Sequence, residues 1–147
     1  MRHRLTRVLP YTPRQLFDLV GDIERYPEFV RWVTALRTRD RRETGEGITV
    51  LEADAEVGFS FVHERFTTRV TLDAPTLAID VDLVSGPFRR LVNRWCFAPH
   101  PTGTLLTFEI DFEFRSRLLG ALLAANLDRA ARRLVACFED RAKTLYG

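Results

Sequence analysis

One lysine, one methionine, two cysteines and three histidines are all that this sequence of 147 residues holds of those four residue types, and each scarcity closes off a class of function. Cys96 and Cys137 fall on different expected elements, with no second cysteine or histidine at metal-ligand spacing. That excludes a zinc site and a disulfide framework, and both thiols read as buried fillers; no metal or resident cofactor is expected. No glycine-rich phosphate loop is present, and Ser60, Ser85 and Ser116 stand in no nucleophile elbow. His3 and His100 lie near chain ends or turns. His63 is followed by Glu64, but neighbours on a strand point to opposite faces, so the two would not meet as base and orienting carboxylate. No apolar run reaches the roughly 18 residues of a membrane span, and strand-like residues begin directly after Met1 without a leader's apolar core. The expectation is a cytoplasmic protein.

What is abundant is arginine. With a single lysine, Lys143, the 22 basic residues include 21 arginines, against 20 acidic residues, for a net charge of +2. The skew fits a GC-rich bacterial genome, and arginine is also the better residue for phosphate and anionic surfaces. Arg37, Arg39 and Arg41 fall on one face of an expected strand beside Arg42, and Arg89, Arg90 and Arg94 cluster around a loop. A charge run of this length is more often a solvated face than a site. At 46% apolar and 29% charged residues, the chain reads as one domain, 1–147, able to bury roughly 70% of its unfolded surface.

The last third carries the strongest pattern. Leu106, Phe108, Ile110, Phe112 and Phe114 alternate with Thr107, Glu109, Asp111 and Glu113, the period of an antiparallel strand with one wet face. One helix from about Arg117 to Tyr146 is expected next, its stripe formed by Leu119, Leu123, Leu127, Ala130, Leu134, Phe138, Ala142 and Leu145. Upstream, a first strand over Arg2 to Leu9 leads to a helix start at Thr12-Pro13-Arg14-Gln15, with a capping box and proline at the first helical position. Asp22 starts a second short helix that Pro27 interrupts. Further strands are expected over Arg37 to Arg42, Ile48 to Val57, Phe59 to Leu72 (bulged near His63 to Arg65, after a turn at Gly58), Leu77 to Leu83 and Arg94 to Ala98. The fold class is α+β: a curved, seven-stranded antiparallel sheet wrapped on a long C-terminal helix, with two short helices after strand 1. Such a sheet leaves a cavity beneath the helix.

Asp22-Ile-Glu-Arg-Tyr26-Pro27-Glu28-Phe29-Val30-Arg31-Trp32 resembles the signature of the coenzyme-Q-binding START-like family, part of the polyketide cyclase and lipid transport superfamily that includes bacterial RatA-type proteins. Gly86-Pro87-Phe88, Trp95-Cys-Phe97-Ala-Pro99 and the ending Phe138-Glu-Asp-Arg141-Ala142-Lys-Thr-Leu-Tyr146-Gly147 match its later landmarks in order. Arg31 and Val33 depart from it, since the family commonly has proline before the tryptophan and cysteine after it. The resemblance implies a helix-grip (START/Bet v 1-like) fold and a non-enzymatic protein that holds an isoprenoid quinone, ubiquinone, for respiration.

Tyr26, Pro27, Phe29, Val30 and Trp32 then form an aromatic lid on which a flat ring stacks. Phe59, Phe61, Phe88, Trp95, Phe108, Ile110 and Phe112 supply the wall, with Leu119, Leu122, Leu123 and Phe138 from the helix. Each is also what a plain core would contain. The expected partners are the quinone and, at the lid, the inner face of a membrane. The alternatives are a ribosomal subunit held through the arginines and a polyketide substrate processed by cyclase or dehydratase chemistry; oligomeric state is not written in the sequence.

Overall fold

The computed structural model describes the backbone of residues 1–59 and 62–147 and the side chains of residues 1–58 and 63–147. Seven strands form one antiparallel sheet: β1 (Arg2–Leu9), β2 (Val33–Thr44), β3 (Ile48–Phe59), β4 (Val62–Asp73), β5 (Ala78–Ser85), β6 (Phe88–His100) and β7 (Gly103–Phe114). Their order is β1-β7-β6-β5-β4-β3-β2, a meander whose first strand closes beside the last. The capping box of Thr12 and Gln15 opens α1 (Pro13–Gly21), and a 3-10 helix over Ile23–Glu28 with Pro27 inside it follows. The expected helix-grip architecture is therefore present.

Cross-strand partners point to the same face. Leu5 with Phe108, Phe108 with Trp95, and Trp95 with Ile79 carry one apolar row across four strands. All but Leu5, which packs against the core, are buried. The C-terminal helix lies over this face, but it is two helices, α2 (Arg117–Ala124) and α3 (Leu127–Tyr146). Asn126 between them leaves helical geometry at φ −128° and ψ 13°. The buried stripe of α3 keeps the expected Phe138 and Ala142 but takes Ala131 and Val135 in place of Ala130 and Leu134, while Leu145 is exposed. Small residues in that stripe let the helix approach the sheet closely, which leucine counting does not anticipate.

Three strand expectations change. β3 runs through Gly58 to Phe59, and Phe59 pairs with Val62, so the expected strand from Phe59 to Leu72 is the end of one strand and the whole of the next. The change of apolar phase that suggested a bulge near His63 to Arg65 reflects this reversal, and the β3–β4 register is continuous from Val62 to Asp73. A real irregularity lies in β2 between Arg39 and Arg42, where Asp40 takes φ 55°. It breaks the alternation that would have placed Arg41 with Arg37 and Arg39.

Gly103 begins β7 at φ +144°, and a Cβ there would lie 2.2 Å from the carbonyl oxygen of Leu9. Gly103→Ala is expected to destabilise the protein by about 3 kcal/mol, because steric overlap with backbone adds to an unfavourable φ. A urea titration measures this as a lower midpoint at unchanged slope.

Candidate ligand site

The 3-10 helix, the residues after it and α3 enclose an open cleft of about 550 Å³. Glu28, Phe29, Arg31 and Trp32 form one side, and Arg133, Cys137, Asp140, Arg141 and Thr144 the other. The α3 residues recur at helical spacing beside the buried stripe, so one helix supplies both the core and the cleft wall.

Phe29 begins a file of aromatic rings leading inward. Its centroid is 5.1 Å from that of Phe138, which lies 5.0 Å from Tyr26 and 5.0 Å from Trp95. Trp95 in turn meets Phe108 at 4.8 Å. All four contacts are edge-on, the arrangement favoured by ring quadrupoles. Trp95 donates its indole N–H to Asn93 Oδ1 at 3.0 Å, so its one polar atom is satisfied.

Polar groups fasten this region. Tyr26 donates its hydroxyl to the Val20 carbonyl, tying the 3-10 helix to α1. Burial, reinforced by the charge of Asp22, pushes the phenol pKa well up, so it stays neutral. Glu28 accepts from Arg25 Nη1 and from Arg141 Nη2, both at 3.0 Å. Those hydrogen bonds, Arg25's first, hold its carboxyl below the ordinary glutamate value. The Arg141 guanidinium lies 5.2 Å from the Phe29 ring centroid. Its Nε is buried and has no partner among the described residues. Burial, then the charge of Asp140, raises the Cys137 pKa and keeps it a thiol rather than a thiolate.

The Glu28 clasp has a definite pH dependence. Because its folded pKa is depressed, the clasp contributes above the ordinary glutamate pKa and is lost as pH falls through the depressed value. Hydrogen exchange at the amides of Phe29 to Val33, relative to the intrinsic rate at each pH, is expected to accelerate in acid but not at neutral pH. Glu28→Gln should accelerate it at neutral pH and remove that acid step.

The remaining expected site residues divide by place. Val30 is fully buried, Pro27 is half-buried, and Trp32 is half-buried at the cleft. Phe88 and Phe112 belong to a second apolar cluster with Leu91, against which Leu123 packs. Ile110 packs against both clusters. Leu119 is half-buried and Leu122 is exposed. Phe59 and Phe61 lie outside the residues whose side chains are described.

Several of the expected wall residues pack as core. Trp95, Phe108, Phe112 and Phe138 are each 3% exposed or less, and open volume among the described residues lies at the cleft and in a hollow of about 460 Å³ beside Ala35, Ala55, Phe66 and Ser85. The polar wall of Arg133, Cys137, Asp140 and Thr144 was not among the expected site residues, because these side chains share only helical spacing and carry no common chemistry. Sequence reading also missed His3, which shares the inner face of β1 with Leu5 and comes within 3.4 Å of Asp128.

The outer face of the sheet binds much of its own charge. Arg39 pairs with Asp40, Glu52 and Asp54, Arg90 with Asp111 and Glu113, and Arg94 with Asp80. Arg37, Arg41, Arg42 and Arg89 make no ion pair among the described residues. His63 is exposed and paired with Gly58 rather than turned inward.

Residues 9–139 match the family described as polyketide cyclase / dehydrase and lipid transport. The chain belongs to that family. It is 36% identical over 141 residues to the ribosome association toxin RatA of Rickettsia prowazekii, covering 94% of this chain and 93% of the relative. It is 29% identical to the coenzyme Q-binding protein COQ10 homolog B, mitochondrial, of Xenopus laevis, covering 97% of this chain and 58% of that one. Among solved structures, the 18 kDa protein CC1736 of Caulobacter crescentus superposes with a TM-score of 0.85 at 53% identity, covering 100% of this chain and 99% of that one. The family thus contains bacterial relatives named for ribosome association and a mitochondrial relative named for coenzyme Q binding. No helix among the described residues is long and apolar enough to cross a membrane.

Proposed function

We propose that this family member is a non-enzymatic carrier of a hydrophobic ligand, and that the ligand is an isoprenoid quinone such as ubiquinone, handed on in support of respiration. The observation that carries the reading is the continuous aromatic file from Phe29 at the cleft through Phe138 to Trp95 and Phe108. The cleft's volume is within the range of small-molecule sites. A quinone ring stacks on Phe29 and Trp32, and its carbonyl oxygens, which only accept hydrogen bonds, find donors in Arg31, Arg133 and the unpartnered Arg141 Nε. The isoprenoid tail follows the file inward once the Glu28–Arg141 clasp opens and the packed rings turn aside, displacing one apolar contact by another.

The absence of catalysis is part of the proposal. Tyr26 spends its hydroxyl on a backbone carbonyl, Cys137 is held as a thiol, and His63 is exposed, so none of these three is placed as acid or base towards a ligand in the cleft.

The test is a titration of tryptophan fluorescence with a short-tailed ubiquinone analogue. Quinones quench indole emission, so saturable quenching is expected, and Trp32→Phe separates the cleft tryptophan from Trp95. Only linear, unsaturable quenching would remove the reading.

A second reading, association with a ribosomal subunit, is favoured by Arg37, Arg41 and Arg42, which have no ion-pair partner among the described residues and lie on β2 at the edge of the sheet. It predicts co-sedimentation with subunits that falls with added salt and is lost on charge reversal of these three arginines, with quinone quenching unchanged. Co-sedimentation indifferent to both would exclude it.

A further inference from the structure

The helix α2 is the least anchored element of the fold. None of its eight residues is buried, it is separated from α3 by the non-helical Asn126, and the Ser116 hydroxyl caps its start by accepting from the Leu119 amide. Leu123 packs on the second apolar cluster. On another face, Leu118 is 68% exposed and Leu122 47% exposed, one turn apart, so they form a short greasy ridge with nothing covering it.

The charge around that ridge is mainly positive: the nearest acid after it, Asp128, is paired with His3 and Arg132, and the one before it, Glu113, with Arg90. From Arg115 to Leu127 there is no acidic residue, and Arg115 and Arg117 lead into the helix. Arg129 follows in the first turn of α3. Among the described residues Arg117 and Arg129 make no ion pair, and Arg115 spends only its Nε, on the Phe88 carbonyl. The outer sheet face, where acids and arginines cancel, differs in kind.

We propose that α2 is a membrane-docking segment that lays Leu118 and Leu122 into the interface of a bilayer rich in anionic phospholipid, with Arg115, Arg117 and Arg129 over the headgroups. Exposed leucines on one helix face with cations beside them, the adjoining Asp128 being taken up by His3 and Arg132, are the chemistry that such a surface selects. Docking places the second cluster, Phe88, Leu91 and Phe112, directly beneath the helix that touches lipid. It does not depend on which ligand the protein carries, and quinone-free vesicles keep the two questions apart.

The experiment is co-sedimentation of the full chain with vesicles of phosphatidylcholine alone and of phosphatidylcholine with phosphatidylglycerol. Binding is expected only with phosphatidylglycerol and should weaken with salt. Leu118→Asp with Leu122→Asp is expected to lower it at least about tenfold. Arg117→Gln with Arg129→Gln should lower it about fivefold per arginine. All four positions are exposed, and an unchanged circular dichroism spectrum checks the fold. Failure of the unaltered protein to sediment with phosphatidylglycerol vesicles would overturn the proposal, as would sedimentation indifferent to the leucine substitutions. So would a dimer in solution that the leucine substitutions dissociate, since the ridge would then be covered by a second copy.

Discussion

Truncating Phe138 to alanine is expected to cost about 3–5 kcal/mol of folding stability, the range for deleting a fully buried aromatic side chain from a packed core. Phe138 is 2% exposed. Its ring is in edge contact with Tyr26, Phe29 and Trp95, so its loss leaves a void bounded by three large rings that cannot all collapse into it. It also loosens α3 from the 3-10 helix, leaving Arg141, bonded to Glu28 and lying over Phe29, to join them. For a domain of this size the thermal midpoint should fall by on the order of 10 °C. Phe138→Leu, which keeps most of the volume, should cost only about 1 kcal/mol. Differential scanning calorimetry of the two variants checks both figures. A loss for the alanine variant no larger than for the leucine variant would mean that the aromatic file is loosely packed and that Phe138 does not join the two elements.

The second large effect is functional. Phe29→Asp is expected to weaken quinone binding about 30- to 100-fold, since it removes an aromatic stacking face and puts a charge where an apolar ring must lie. Stability should change little by comparison. Phe29 is only half-buried, and the new carboxylate finds Arg141, whose guanidinium already lies over this position. The split between the variants is the informative part: Phe138→Ala acts chiefly on folding and Phe29→Asp chiefly on binding, although their rings touch. Quenching titrations at a temperature where both are folded separate the two effects. Equal affinity of Phe29→Asp and the unaltered protein would place the ligand elsewhere.

The fold was legible where a single physical signal dominates. The alternation from Leu106 to Phe112 reads directly as a half-buried strand, because only a period of two separates those residues onto one face, and the capping box at Thr12 and Gln15 is a local motif that needs no tertiary context. Legibility failed where tertiary contacts override local pattern. The turn glycine expected at Gly58 is a strand residue, because close pairing with His63 uses the missing Cβ. The stripe of leucines along the C-terminal segment pointed to one long helix, but the chain breaks at Asn126 and, beside the expected Phe138 and Ala142, buries Ala131 and Val135 in place of Ala130 and Leu134.

The site was half legible. Tyr26, Phe29 and Trp32 stand out as aromatics crowded round a proline, and the structure gathers Tyr26 and Phe29 on Phe138. The facing wall was hidden, since Arg133, Cys137, Asp140 and Arg141 differ chemically and share only a helical phase. Nor does a sequence distinguish a phenylalanine that lines a cavity from one that packs as core, as Phe108 and Phe138 do, since only packing decides.

Organic extraction of the freshly purified protein, with mass spectrometry of the extract against an equally handled control protein, tests the central claim most directly. The account predicts an isoprenoid quinone at near-stoichiometric amount with the unaltered protein and its loss with Phe29→Asp. An extract free of quinone, from protein that is folded and was made in cells containing quinone, would contradict it.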